Sequence, residues 1–104
     1  MLYLCIHIPD AVEPIERGER FEDPLFDALE AEGIEAEWLG GGTALETVDG
    51  RMTITGCDIE FEVADIALAL PVIRRVLTEA EAPPDTTIRQ CEPEVVIHRL
   101  SEEV

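Results

Sequence analysis

The sequence contains no lysine, so its seven basic residues are all arginines, and they stand against 24 aspartates and glutamates. The formal net charge at pH 7 is −17. A field of this sign repels phosphate groups, which argues against direct binding to nucleic acids or to anionic membranes. The charge therefore disfavours nucleic acids and anionic membranes as partners and favours basic proteins.

Cysteines are few, and long apolar runs are missing. Cys5, Cys57 and Cys91 are odd in number and show no CxxC spacing, which argues against a disulfide framework. The first residues lack the cationic segment and the small-residue cleavage site of a signal peptide, and no run approaches the roughly 18 apolar residues of a membrane helix. We therefore expect a cytoplasmic protein with reduced thiols.

The length of 104 residues suits a single domain over 1–104, because one core typically organises about 100 to 150 residues. Hydrophobic residues make up 46% of the chain, which is enough for a globular core and excludes the apolar-poor composition of disordered proteins. We expect the chain to fold on its own.

Period-two alternation predicts two strands, each with one apolar face. In residues 2–8 and 57–63 the predicted core-facing side chains are Leu2, Leu4, Ile6, Ile8, Cys57, Ile59, Phe61 and Val63. The opposite faces carry Tyr3, Cys5, His7, Asp58, Glu60 and Glu62. A further strand is expected from Ile34, which Gly40–Gly42 bulges or ends, and the pair Asp49–Gly50 predicts a hairpin turn before the strand that starts at Arg51.

Two helices are expected. The pair Asp23–Pro24 is typical of a helix start and Gly33 of a helix end, so the first helix is predicted over 24–32, after a loop over 10–20. Asp65 is predicted to cap the second helix, in which Pro71 causes a kink or a later start of the regular part. Its expected apolar stripe is Ile66, Leu70, Ile73, Leu77 and Ala80. A last strand is expected within 86–100, where Pro93 suits an edge or a bulge.

The predicted order of strand, helix, strand, strand, helix, strand is that of an α+β, ferredoxin-like βαββαβ sandwich. Such a sandwich has a four-stranded antiparallel sheet with both helices on one face. The first and third strands would be central. The expected core comprises Leu2, Leu4, Ile6, Ile8, Phe26, Leu29, Ile59, Phe61, Val63, Leu70, Ile73 and Leu77.

Three segments resemble small uncharacterised bacterial proteins of about this length. They are GGGTAL (40–45), CDIEFEVADIALAL (57–70) and RRVLTEAEAPPDTTI (74–88), which together cover about a third of the chain. The resemblance implies a ferredoxin-like fold and transfers no catalytic residue. Pro71 departs from the pattern, in which a good helix former is expected.

Acidic residues are concentrated in residues 10–37, which hold eleven acids against Arg17 and Arg20. A solvated helix face, or adaptation to a salty cytoplasm, explains such a run without any partner. The functional alternative is a docking lobe for a basic protein. We therefore expect a non-enzymatic interaction or regulatory module, of which an inhibitor or immunity-type protein that covers a basic toxin is the specific version.

The sheet face opposite the helices is expected to carry two histidines, a thiol and carboxylates. His7, His98, Cys5 and Glu60 form a candidate site for a divalent transition metal, although no HxH, CxxH or HExxH string supports it. The alternative function is thus a small-molecule or metal-binding domain, including a small dimeric enzyme that uses this open face. A homodimer through the same face, with Tyr3, Cys5 and Val96 in contact, is a further expectation.

Two other chemistries are disfavoured. The Gly40–Gly42 run lacks the lysine and the following helix of a phosphate loop, so close backbone packing at a bulge is the preferred interpretation. A negative field raises the pKa of a thiol, which argues against a catalytic cysteine, and Cys57 is expected in the core. The sequence indicates no catalytic residues and no cofactor.

Overall fold

A computed structural model of the chain describes residues 2–91 and 96–100. Strands, helices and one π-helical turn follow in the order β1 (Leu2–Ile8), α1 (Pro14–Arg17), the π-helical turn Gly18–Glu22, α2 (Asp23–Ala31), β2 (Ala36–Val48), β3 (Arg51–Val63), α3 (Ile66–Glu79), β4 (Thr87–Gln90) and β5 (Val96–Arg99). The fold is α+β. In the described part of the chain, no helix is long and apolar enough to cross a membrane.

The strands form one sheet in the order β2-β3-β1-β4-β5, with every neighbouring pair antiparallel. The expectation of four strands is wrong, because the predicted last strand is a hairpin of two short strands in which Gln90 pairs with Val96. Pro93 and its neighbours at 92–95 lie outside the described residues. A proline has no backbone N–H to donate to a neighbouring strand, so Pro93 is compatible with a break between β4 and β5.

The first helical unit begins much earlier than predicted. Residues 14–31 are helical without interruption, since α1, the π-helical turn and α2 follow one another directly, and the loop expected over 10–20 is wrong for most of its length. Asp23 has helical backbone angles and its side chain caps nothing. Pro14 at the helix start and Phe21, which shares a four-residue spacing with Leu25 and Leu29, are the signals for the longer helix.

Helix α3 starts at Ile66, where the Asp65 side chain accepts a hydrogen bond from the Leu68 amide at 3.2 Å. The predicted cap is therefore confirmed, and the helix is already regular ahead of Pro71. Its buried face differs slightly from the predicted stripe. Ile73 and Leu77 are buried as expected, whereas the rest of the buried face consists of Ala69, Val72 and Val76.

The core lies between the helices and one face of the sheet. Leu4, Ile6, Phe61 and Val63 are fully buried, which confirms the predicted orientation of both central strands. Of the other predicted core residues, Ile8, Leu29, Ile59, Ile73 and Leu77 are buried, while Leu2, Phe26 and Leu70 pack at the edge of the core. Buried residues that were not expected include Val12, Phe21, Leu25 and Ile88.

The glycine run of β2 accommodates a guanidinium on the helix side of the sheet. Arg17 donates to the Gly42 carbonyl at 3.0 Å and to the Glu22 carboxylate at 2.7 Å, and both charged side chains are 11% exposed. A Cβ on Gly41 would lie 2.8 Å from the Arg17 guanidinium carbon. Strand β2 continues through the glycines to Val48, with a register shift between Trp38 and Gly40. The run is therefore a bulge that allows close packing.

Candidate functional site

The candidate site is the open face, meaning the sheet face that points away from the helices. Residues that stand opposite each other on neighbouring strands point to the same face of the sheet. The outward residues of β1 and the register of the strands therefore identify the residues of the open face. They are Tyr3, Cys5 and His7 on β1, Asp58, Glu60 and Glu62 on β3, Glu37 on β2, Thr87 and Arg89 on β4, and Ile97 and Arg99 on β5.

His7 and Asp58 form a pair at the centre of the open face. They stand directly opposite each other on β1 and β3, and His7 Nδ1 lies 2.7 Å from Asp58 Oδ1. The imidazole also lies against Gly56, where a Cβ would come within 3.0 Å of the ring carbon Cε1. A carboxylate bonded to one ring nitrogen orients the imidazole, as in many binding and catalytic histidines.

Tyr3 stands opposite Glu62 in the ladder and interacts diagonally with Glu60 on the same face. The Tyr3 hydroxyl donates a hydrogen bond to the Glu60 carboxylate, and this bond, with some desolvation, raises the pKa of Tyr3 to about 12. On the other side of Glu60, a Cβ on Gly40 would lie 3.8 Å from one carboxylate oxygen. The side of Glu60 that faces β2 is left uncrowded because Gly40 has no side chain.

The thiols of this region are protonated at neutral pH. Burial, with the charges of Asp58 and Glu60, raises the pKa of Cys5 to about 11. Burial also raises the pKa of Cys57 to about 11. Because the thiolate is the reactive form, neither residue has the setting of a catalytic cysteine.

Four acids of the open face form what we call the carboxylate row, made of Glu37, Asp58, Glu60 and Glu62. Glu37 and Glu62 stand directly opposite each other on β2 and β3. Within residues 2–91 and 96–100, no arginine forms an ion pair with any member of the row. Like charges directly opposite each other destabilise a sheet, so the row carries an uncompensated electrostatic cost.

Four acids of the predicted docking lobe, residues 10–37, have arginine partners, whereas Glu37, at the end of the lobe, belongs to the carboxylate row. The ion pairs that involve this lobe are Arg17 with Glu22 at 2.7 Å, Arg20 with Asp10 at 3.1 Å and with Glu16 at 3.9 Å, and Arg75 with Glu32 at 3.7 Å. Arg20 also donates to the Ala80 carbonyl at 3.1 Å, which joins the first helical unit to the end of α3. Arginines are thus used on the helix side of the sheet, while the carboxylate row has none.

A cavity of about 290 Å³ opens beside the His7–Asp58 pair. Its lining is mixed, because it combines the side chains of Cys5, His7, Asp58, Thr87, Arg89 and Ile97. This volume is at the lower end of the range for small-molecule sites, roughly 300 to 1,000 Å³. This recess therefore lies between acidic and basic groups, and a second cavity of about 620 Å³, lined by Pro84, Asp85, Thr87, Ile97 and Arg99, lies farther along the β4 and β5 side of the face.

The four predicted metal ligands are not brought together. Cys5, His7 and Glu60 share the open face, as predicted, but the expected position of His98 is wrong. His98 pairs with Ile88, which pairs with the core residue Ile6, so His98 lies on the helix side of β5. The error arises because the hairpin places β4, not the strand of His98, beside β1. Among the described residues, no three His, Cys, Asp or Glu side chains are placed to share a metal ion.

Val96 shares the helix side with His98, so the predicted dimer contact through Val96 on the open face also has the wrong orientation. Arg89 and Ile97 occupy the open face instead and were not among the predicted site residues. The alternation of Thr87 and Arg89 with Ile88 and Gln90 indicates which of these side chains share a face. It places Arg89 on the open face only when β4 is recognised as a strand separate from β5.

The α+β architecture has a counterpart among solved structures. The chain is similar to a phage SAM lyase solved in complex with S-methyl-5'-thioadenosine, with a TM-score of 0.55 over 94% of this chain and 87% of that chain. Sequence identity is 10%, so the likeness concerns the fold alone. No protein-family model matches the sequence, and no curated protein is similar to it.

Proposed function

We propose that this protein is an acidic interaction module that binds a basic protein partner through the carboxylate row. The observation that carries the proposal is the contrast between the two sides of the sheet. Four acids on the helix side have arginine partners, whereas Glu37, Glu60 and Glu62 have none among the described residues, and Glu37 also stands directly opposite Glu62.

The register of the row gives a physical reason for a cationic partner. Asp58, Glu60 and Glu62 alternate along one strand, so their carboxylates are about 7 Å apart, twice the rise per residue. Arginines that alternate on an extended segment have the same spacing. A guanidinium between Glu37 and Glu62 would relieve their repulsion and bind two carboxylates at once.

The two arginines of the open face limit where such a partner can dock. Arg89 and Arg99 lie on β4 and β5, while the carboxylate row lies on β2 and β3. The attraction for a basic segment is therefore concentrated on the half of the face formed by β2 and β3. This polarity favours a partner segment that runs along β3 rather than across the whole sheet.

The test is affinity capture from the native lysate with three forms of the protein. We expect the wild type to retain a basic protein that the Glu60→Gln, Glu62→Gln double variant loses. A matched control, the Glu13→Gln, Glu19→Gln double variant, changes the net charge equally at exposed positions of the helix side and should retain the same partner. Equal loss in both double variants would indicate a nonspecific charge effect and contradict the proposal.

Two further assignments accompany the proposal. The order β2-β3-β1-β4 with antiparallel neighbours supports a ferredoxin-like architecture to which β5 is added as an edge strand. The three cysteines are free, which supports a reducing compartment such as the cytoplasm. An inhibitor or immunity-type role is the form of interaction module that best fits a small acidic chain with a basic partner.

A second candidate function is the binding of a small molecule in the recess beside His7. It is favoured by the 2.7 Å bond between His7 and Asp58, which prepares the imidazole to accept or donate a proton, and by the adjacent Arg89. The structurally similar phage lyase was solved with S-methyl-5'-thioadenosine, so a nucleoside thioether is the first ligand to try.

Calorimetric titration of S-methyl-5'-thioadenosine into the wild type and the His7→Gln variant tests this second candidate. Binding that the variant weakens by tenfold or more would support the recess as its site. Identical heats in the two proteins, or no heat in either, would remove it.

A further inference from the structure

The tip of the β2–β3 hairpin extends beyond the rest of the sheet. Strand β1 pairs with β3 only over Cys57–Val63, whereas β2 and β3 continue to pair as far as Val48 and Arg51. We call residues 44–56 the arm. Asp49 and Gly50 form its turn with positive φ angles of 50° and 75°, the geometry of a tight hairpin connection. At about 3.3 Å per residue the arm extends roughly 15 to 20 Å.

One face of the arm is apolar and uncharged. Leu45 pairs with Ile54 and Thr47 with Met52, and alternation places all four side chains on the same face. A hydrogen bond of 3.5 Å from the Thr47 hydroxyl to the Met52 sulfur is consistent with this arrangement. Leu45 is 49% and Met52 67% exposed. An apolar surface of this kind is exposed on a segment that lacks a third strand beside it.

A two-stranded ribbon alone is at best marginally stable in water and needs another strand or a packing element on its apolar face. We propose that the apolar face of the arm packs against the same face of a second copy of this chain, forming a two-fold symmetric dimer. Self-complementary contact is the usual arrangement of homodimers, since each residue of the patch meets the patch itself.

Charge identifies a second copy as the occupant. The chain carries −17 overall, but the arm holds only Glu46, Asp49 and Arg51 as charged residues, and none of them lies on its apolar face. A basic partner is attracted to the acidic body and gains nothing from the uncharged face of the arm. Two copies that meet through their arms keep their acidic bodies apart by roughly the arm length, which exceeds the screening distance of about 8 Å at physiological ionic strength.

The test is the molecular mass of the full chain in moderate salt by sedimentation equilibrium. The wild type should have twice its chain mass of 11.5 kDa at high concentration. Met52→Glu should shift the population to monomer, because it places a carboxylate in the contact. Leu68→Glu, which makes the same change at a 61% exposed position on α3, should leave the dimer intact.

Amide hydrogen exchange provides a second measurement that does not require a variant. Exchange at residues 44–56 should slow at least tenfold as the protein concentration rises, while exchange in β1 should stay constant. A wild type that is monomeric at all concentrations would overturn the proposal. A Met52→Glu variant that remains dimeric would overturn it as well, since the contact would then lie elsewhere.

Discussion

Replacing Phe61 with alanine tests the orientation of the central strands and hence the position of the open face. Phe61 is fully buried, and its ring packs edge-on against Phe26 at 5.4 Å with an interplanar angle of 86°. Removing a buried phenylalanine costs about 3 to 5 kcal/mol, and the lost aromatic pair accounts for about 0.5 to 1.5 kcal/mol of attraction. We expect a loss of unfolding free energy in the upper half of the first range.

Urea denaturation at fixed ionic strength is the appropriate assay, because guanidinium is itself a salt and would screen the acidic chain. Trp38→Ala is the matched control, since Trp38 stands directly opposite Phe61 on β2 but is 53% exposed. Trp38→Ala should lower the free energy of unfolding by about 1 to 2 kcal/mol, because about half of the Trp38 surface is already in water. A Phe61→Ala loss below about 1 kcal/mol would mean that the faces of β3 are reversed.

Three further outcomes are expected. Gly41→Ala should destabilise the protein by about 1 to 3 kcal/mol, because the added Cβ would lie 2.8 Å from both the Arg17 side chain and the Asp58 carbonyl. Gly42→Ala, whose added Cβ would have nothing within 4 Å, should cost less than half as much in the same urea assay. The free energy of unfolding should fall as pH rises from about 9 to about 11, because folding raises the pKa of Cys5 and Cys57 and so favours their protonated thiols. A Cys5→Ala, Cys57→Ala variant should lose much of this dependence on pH. An unchanged dependence would contradict the raised thiol pKa values. The melting temperature should rise between low and moderate salt, because screening reduces self-repulsion, and a fall would contradict a destabilising excess of negative charge.

The parts of the fold that were predictable are those where one physical signal acts alone. Strict alternation of apolar and polar residues placed Leu4, Ile6, Phe61 and Val63 in the core, since a shift of one residue would expose every apolar side chain. The Asp65 cap was predictable for a similar reason, because a carboxylate directly before an apolar helical repeat has few other local roles.

The missed parts are those where local signals conflict. Gly18 and a high density of charge obscured the helical spacing of Phe21 and Leu25, and tertiary packing of Phe21 into the core outweighs the low helix propensity of Gly18. The sequence marks the break before β5 with Pro93, but a proline suits a bulge within one edge strand equally well. This single error moved His98 to the wrong face, since orientation in a strand depends on which strand is its neighbour.

The candidate site was only half predictable for the same reason. Cys5, His7, Glu60 and Glu62 were assigned to the open face correctly because they belong to the two central strands. Whether an acid has an arginine partner depends on tertiary contacts that the sequence does not display. The sequence therefore offers the acidic run over 10–37 as a docking lobe, although Arg17, Arg20 and Arg75 pair with four of its acids.

The most direct test of the carboxylate row is to map where a cation-rich ligand binds. An NMR titration of the wild type with a decaarginine peptide at moderate salt reports a site for every amide. The account predicts that the largest shifts fall on residues 3–7, 37 and 58–62, and that the Glu60→Gln, Glu62→Gln variant reduces them while Glu13→Gln, Glu19→Gln does not. Shifts concentrated on the helical residues 14–31, or spread evenly over all exposed acids, would contradict it.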